Sequence, residues 1–345
     1  MRVVVAFDTP YADWTPDEHR RQMDTELAGN GAHEPEMEYQ VAGALLACGH
    51  EVLLVGVHKD PRVLLDHCAT WKPDVVVNLA ESFNGDGSLD YVCATLLDAA
   101  AHRYTGSAPL ALQVTRDKAM SKKILAYHGI RVPAFVMYRT REKVTEPPAL
   151  EFPLIVKPLA ADASLGIARA SVVDDVTALT DRVAFVHERF RQPAIAEQFI
   201  AGRELYAGTL GNDERMQVLP LTELVFDKEK TEPEQRIATQ AAKWADDYRK
   251  RWGIRTVLAR PLSAKARERI ERVCREAGRA LWLRDYARFD LRLTDDDEVW
   301  VLEANANPFI SKGHEMANAA AKVGLPYPQF VDRIVQEAVA RYERA

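Results

Sequence analysis

ARFDLRLTDDDEVWVLEANANPFIS, residues 287–311, is the stretch from which the rest of the chain can be read. Two runs of strand-like alternation flank the polar cluster Thr294-Asp295-Asp296-Asp297-Glu298, the pattern of a β-hairpin. In the first run Phe289, Leu291 and Leu293 share one face, and Arg288, Asp290 and Arg292 share the other. In the second run Val299, Val301, Glu303 and Asn305 are expected on a single face. A tight turn at Asp296-Asp297 sets Asp290 opposite Glu303 and Arg288 opposite Asn305. Opposed carboxylates repel across a sheet, and a divalent cation between them turns that repulsion into attraction. Two carboxylates and an amide oxygen suit Mg²⁺, with Mn²⁺ as the alternative ion, because such a set leaves positions for water and nucleotide phosphates. The plain alternative is an exposed hairpin with its polar residues outward. The register of the four polar residues, with Pro308 stopping the strand, puts the metal–phosphate reading level with it.

The surrounding composition narrows the class. A chain of 345 residues is too long for one core of usual size, so two or three domains are expected. A formal net charge of −6 carries no basic footprint and disfavours nucleic acid as a partner. The four cysteines, Cys48, Cys68, Cys93 and Cys274, form no CxxC pair and read as buried reduced thiols. The chain opens at once on the apolar run Val3-Val4-Val5, without a signal-peptide layout, and no apolar run reaches membrane-spanning length. The expectation is a cytoplasmic protein without a membrane partner.

Upstream, strand and helix patterns alternate over residues 2–101, which predicts a parallel sheet with helices on both faces, closing near Thr115. Within this part, residues 8–35 read as one long polar loop. The third strand runs into Glu81 and Gly85-Asp86-Gly87-Ser88: either a substrate contact at a carboxyl strand end or, more simply, a turn with Ser88 as helix cap. A helix begins at Thr115-Arg116-Asp117-Lys118, and spacing alone puts Lys118 on the surface. FPLIVKP, residues 152–158, is apolar except for Lys157, a lysine costly to bury without an anion and so a phosphate candidate. A small-residue loop containing Ser164 follows, of the kind that lays backbone N–H groups over phosphates, and then a strand over 167–172. AIAEQFI (194–200) carries Glu197 and Ile200, and Gly202-Arg203-Glu204 opens the next strand; the acids either accept from a ribose or adenine or face solvent. Another strand is expected over 216–225. Residues 226–252 are charged and weakly periodic, a lid or a solvated arm; 263–283 form a Ser-capped helix and 327–345 a helical tail.

Taken together, FPLIVKP, the small-residue loop, AEQFI, GRELY, ARFDLRL and VLEANANP resemble the ATP-grasp superfamily, and within it the D-alanine–D-alanine ligase family, over nearly the whole chain. The resemblance implies an N-terminal Rossmann-like α/β domain (1–115), a central ATP-grasp part (116–205) and a C-terminal part with metal site and lid (206–345), holding ATP between two antiparallel sheets. It implies Lys118 and Lys157 on nucleotide phosphates, Glu197 and Ile200 at adenine, Glu204 at ribose, and Asp290, Glu303 and Asn305 on Mg²⁺. It also implies Arg288 facing the transferring phosphate, Ser164 in the phosphate loop, Lys243 in the lid, Ser311 near the second substrate, and a homodimer as in many relatives.

The chemistry that goes with this is activation of a carboxylate as an acyl phosphate, then attack by an amine, between amino-acid-like substrates. Such phosphoryl transfer needs charge neutralisation and alignment more than a protein nucleophile. The sequence departs from the D-alanine ligases at three places. The phosphate loop reads Ala160-Ala161-Asp162-Ala163-Ser164, Trp244 stands where a tyrosine is usual, and the ammonium-binding glutamate has no single match among Glu34, Glu36 and Glu38. An ATP-dependent carboxylate–amine ligase is therefore the expected function. A cell-wall D-alanine–D-alanine ligase is the narrower alternative, and a non-catalytic ATP-binding protein the alternative of another class. A dinucleotide enzyme is disfavoured because no GxGxxG follows the first strand.

Overall fold

The computed structural model describes residues 1–345 except 30–33, 162–163, 228, 233–235 and 345, and it does not describe the side chains of Trp244 and Asp246. The N-terminal part runs β1 (Arg2–Asp8), α1 (Pro16–Ala28), α2 (Met37–Ala47), β2 (Glu51–Val57), α3 (Arg62–Trp71), β3 (Val75–Asn78), α4 (Val92–Ala99) and α5 (Pro109–Arg116). Its sheet is parallel with order β2-β1-β3. The central part is α6 (Lys118–Tyr127), β4 (Phe135–Tyr138), β5 (Leu154–Pro158), β6 (Val172–Val173), α7 (Val176–Phe190) and β7 (Ala194–Gln198), an antiparallel sheet of order β4-β7-β5-β6. The remainder is β8 (Arg203–Leu210), β9 (Gln217–Val218), β10 (Thr222–Val225), α8 (Gln240–Trp244), α9 (Asp246–Trp252), β11 (Arg255–Leu258), α10 (Ala264–Ala280), β12 (Tyr286–Leu293), β13 (Val299–Asn305), α11 (Glu315–Lys322) and α12 (Tyr327–Arg344). Its sheet has the order β11-β10-β8-β12-β13, with β9 on β8.

Each antiparallel sheet is apolar on one side and polar on the other, as period-two alternation requires. Leu154, Val156, Ala194 and Ala196 of the central sheet bury against Leu179, Val183 and Val186 of α7. Leu205, Ala207, Phe289, Leu291 and Leu293 of the C-terminal sheet bury with Ile270, Val273, Cys274 and Ala277 of α10. The polar faces are left for the cleft. The last helix returns to the start of the chain: Phe330, Val331, Ile334 and Val335 share a core with Val3, Val5 and Phe7. Cys68, Cys93 and Cys274 are buried and Cys48 half-buried, all as free thiols.

Several expectations are corrected. Residues 8–35 are not one loop, since α1 occupies Pro16–Ala28. Thr15 caps it, with its hydroxyl accepting from the Glu18 N–H, the Glu18 carboxylate accepting from the Thr15 N–H, and Pro16 in the first turn. The strand expected over 167–172 is a short 3₁₀ turn, Arg169–Ser171, leading into β6, and the one over 216–225 is split into β9 and β10. In the charged stretch 226–252, the described residues include α8 and α9.

The hairpin itself differs in one respect. Asp290 does face Glu303 and Arg288 does face Asn305, but the register shifts between Asp290 and Leu291. Leu302 is the extra residue of a β-bulge. Val299 and Val301 consequently turn into the core with Leu291 and Leu293, while Glu303 pairs with Asp290 on the polar face. The four residues expected on one face are divided two and two.

Candidate active site

On the polar face of the C-terminal sheet, Asp290 accepts from Arg288 Nε at 2.7 Å and from Asn305 Nδ2 at 3.3 Å, and lies 3.5 Å from Lys243 Nζ. Asp290 is buried and Glu303 half-buried. Burial alone would raise the Glu303 carboxyl, but Lys118, Lys157 and Lys243 outweigh it and hold it down at about 2. Arg288 binds its proton more tightly than usual: burial opposes this, and neighbouring Asp290 overcomes it. One strand over, Tyr206 stands opposite Asp290, with the Lys243 ammonium 5.2 Å from its ring centre. Its hydroxyl donates to Glu204 at 3.1 Å, and Glu204 also takes Arg292 at 2.8 Å.

The central sheet presents the opposite wall. Lys157 and Glu197 are diagonal neighbours on β5 and β7, because Lys157 pairs with Ile195 and side chains two apart share a face. Their charged groups are 3.0 Å apart. From α6, Lys118 reaches Glu303 at 3.1 Å and the Ala161 carbonyl at 2.6 Å. Lys122, one turn on and so on the same helix face, lies 3.3 Å from Glu197 and donates to the Leu302 carbonyl. Burial lowers the Lys122 ammonium to about 8, against the pull of Glu197. The contacts of Lys118 and Lys122 tie the two sheets together at the β12–β13 hairpin.

Between the sheets and the N-terminal part lies a cavity of about 1330 Å³. Arg288, Lys243, Tyr206 and Asn305 line it, as do Glu81 and Arg116 from the N-terminal part and His314 and Glu315 from the loop and helix after the hairpin. The segment carrying α8 and α9 packs on the central part, with the Arg169 guanidinium 3.6 Å from the Trp252 ring centre and Gln240 N–H donating to the Ile167 carbonyl at 3.2 Å. A second cavity, about 320 Å³, shares Glu81 and Phe309 with the first. Its wall carries Asp8, Glu26, Glu36 and Glu38 and the rings of Phe7, Tyr11 and Tyr39, with no lysine or arginine among the described residues. Burial, reinforced by Glu36, Asp8 and Glu26, pushes the Glu38 carboxyl up to about 7.

Of the residues read from sequence, Arg288, Asp290, Glu303, Asn305, Lys118, Lys157, Glu197 and Lys243 converge across the cleft. Lys118 is 3 % exposed, which overturns its reading as a surface lysine. Glu204 is buried in its pair with Arg292, and Ile200 is buried just after β7. Ser164 sits at φ 59° beside Leu165, which lines the larger cavity. Ser311 is buried with an unpartnered Oγ, and the wall there is made by Gly313, His314 and Glu315 instead. Glu36 lines the second cavity and Glu81 both. The expectation for the Trp244 side chain lies outside the described residues. Sequence reasoning passed over Lys122, Tyr206 and Glu315. For Lys122 the signal was present: four residues after Lys118 on a helix places both on one face.

Two sheets gripping a cleft from opposite sides, behind an N-terminal parallel sheet, are the fold of the ATP-grasp enzymes. The same architecture is found in the crystal structure of D-alanine–D-alanine ligase from Bacillus anthracis complexed with ATP, at a TM-score of 0.73 and 20% identity over 100% of both chains. Residues 124–336 match the family model described as the D-ala D-ala ligase C-terminus. An uncharacterised protein, y4sG, of Sinorhizobium fredii is 32% identical over 88% of this chain and 87% of its own. The D-alanine–D-alanine ligase of Bordetella petrii is 29% identical over 91% and 87%. The chain belongs to the D-alanine–D-alanine ligase family.

Proposed function

We propose that the ATP-dependent carboxylate–amine ligase activity of this family takes here the form of peptide or amide bond formation between amino-acid-like substrates through an acyl phosphate. The observation that carries the proposal is the register that sets Asp290 against Glu303 and Arg288 against Asn305, with Lys118 of the central part 3.1 Å from Glu303 across the cleft. Asp290, Glu303 and the Asn305 oxygen would hold Mg²⁺. The fit is a chemical one: Asp290, the facing Glu303 and Asn305 offer hard oxygen donors, and an ion held by two carboxylates and an amide keeps the positions that phosphate oxygens and water fill. Bound there, the ion supplies charge neutralisation for the triphosphate.

The chain's own residues do the rest. Lys118 and Lys157 exchange their carboxylate partners for phosphate oxygens, with Glu197 and Ile200 at the adenine and Glu204 at the ribose. Ser164 belongs to the loop over the phosphates. Arg288 sits where it can face both the transferred phosphate and the donor carboxylate, and stabilises the charge that develops between them. Lys243 adds a second positive charge from the lid, whose docking on the central part keeps water from the acyl phosphate. The donor's ammonium enters the second cavity, where Glu36, Glu38 and Glu81 and the aromatic walls suit a cation.

Trp244, where a tyrosine is usual, favours a substrate other than D-alanine and so disfavours the cell-wall reading. Arg288 beside the paired acids disfavours a protein that only binds ATP. The test is phosphate release with ATP and Mg²⁺ across D- and L-amino acids and small amines, with product masses. A product heavier by one condensed acceptor supports the proposal, and no amino-acid-dependent release across the panel sinks it.

A further inference from the structure

We propose that Glu315 is the acceptor-binding residue of this site, pairing with the protonated amine of the incoming nucleophile and so selecting cationic acceptors over zwitterionic amino acids. The inference rests on the ligase reading above. Glu315 lies in the first turn of α11 and lines the larger cavity together with Arg288, Tyr206 and Asn305. It is only partly exposed, and among the described residues its carboxylate accepts no hydrogen bond. Its carboxylate interacts electrostatically with the Arg288 guanidinium, on the same cavity wall.

Three cations of the same wall are already engaged. Arg288 and Lys243 are bound to Asp290, and the Arg249 guanidinium donates to the Ala242 and Lys243 carbonyls. Lys322 is two turns along the same helix, roughly 10 Å away. An acid in a first turn is favoured by the helix dipole by about 0.3–1 kcal/mol. That accounts for the residue type on α11 but not for a carboxylate without a hydrogen-bond donor on the cavity wall, where an unsatisfied acceptor is costly.

Two ligands meet at Arg288, and only one of them can be Glu315's. The donor brings a carboxylate and then a phosphate, both repelled by Glu315. The acceptor brings an ammonium. An ammonium held by Glu315 stands beside the acyl phosphate that Arg288 holds; it gives one proton to solvent to become the attacking amine, and as the C–N bond forms the acyl C–O bond breaks and phosphate leaves with the second proton. A free amino acid would carry its own carboxylate into the same field, whereas an amino-acid amide or a diamine would not. Glu315 thereby acts on affinity and choice of acceptor and not on formation of the acyl phosphate.

The experiment compares alanine with alaninamide as acceptors, using the donor found by the panel, in the parent and in Glu315→Gln, and traps the acyl phosphate with hydroxylamine in both. The parent is expected to prefer the amide. Glu315→Gln should raise the KM for the amide about tenfold, the scale of a lost charged hydrogen bond, narrow the preference, and slow hydroxamate formation far less. Glu315→Asp should recover part of the affinity. An amide-to-amino-acid ratio unchanged by Glu315→Gln, or hydroxamate formation lowered as much as ligation, would overturn the assignment. Absence of hydroxamate in the parent would instead tell against the ligase reading, and the inference would fall with it.

Discussion

Arg288 illustrates how much one residue's surroundings specify. It is on the polar face of β12, bonded to Asp290 at 2.7 Å, and on the wall of the cavity. If it acts on charge that appears during transfer, as proposed, Arg288→Ala lowers kcat by about 10²-fold or more, with a much smaller change in KM for ATP. Steady-state kinetics check this, and a raised KM with unchanged kcat would contradict the role. Glu303→Gln removes one of the two opposed acids while keeping its shape, so ATP turnover should be lost with the circular dichroism spectrum intact. Normal turnover in that variant would remove the hairpin from the chemistry. These residues were legible in the sequence because alternation along a strand and the count across a turn are both fixed by backbone geometry. Glu315 and Tyr206 were not legible, since their relevance depends on which strand or loop lies beside β12.

At the scale of elements, α1 shows a readable signal overlooked among competing ones. The segment 8–35 is polar and rich in turn residues, yet Thr15-Pro16-Asp17-Glu18 spells a capping box with proline at the first helical position. Thr15→Ala should destabilise the protein by about 1 kcal/mol, seen as a lower midpoint in urea, whereas an unchanged midpoint would mean that the helix is held by packing alone. The bulge at Leu302 shows the opposite case. Nothing in VWVLEAN announces the extra residue, and without it either the valines or the acids of β13 would face the wrong side. The pairing of Asp290 with Glu303 was right, while the assignment of Val299 and Val301 to the same face was not. Several strands of the two antiparallel sheets were recoverable one by one because each carries its own pattern, while the sheets themselves and their apposition came from the resemblance.

For the molecule as a whole, function is concentrated where three parts meet, and that is where sequence says least. The second cavity draws Asp8, Glu26, Glu36 and Phe309 from distant segments, so its acidity became visible only in three dimensions. It stores unfavourable charge. The folded state holds the Glu38 proton up to about pH 7, against a usual value near 4.5. That contribution to stability is fully present below about 4.5 and is lost as pH rises through 7. Glu38→Gln should therefore be more stable than the parent at pH 8, by about 1–2 kcal/mol, with the difference vanishing near pH 4; thermal unfolding across pH checks it. His19, whose burial lowers its ring to about 4, weakens the fold as pH falls from 6.5 toward 4, but it does so in both proteins and drops out of the difference. Equal stabilities at pH 8 would mean that the chamber is not strained. The measurement that tests the central claim most directly uses a donor whose carboxylate carries heavy oxygen, followed through one turnover with ATP, Mg²⁺ and an amine. Passage through an acyl phosphate predicts one labelled atom in the released phosphate; amide product accompanied by unlabelled phosphate would contradict it.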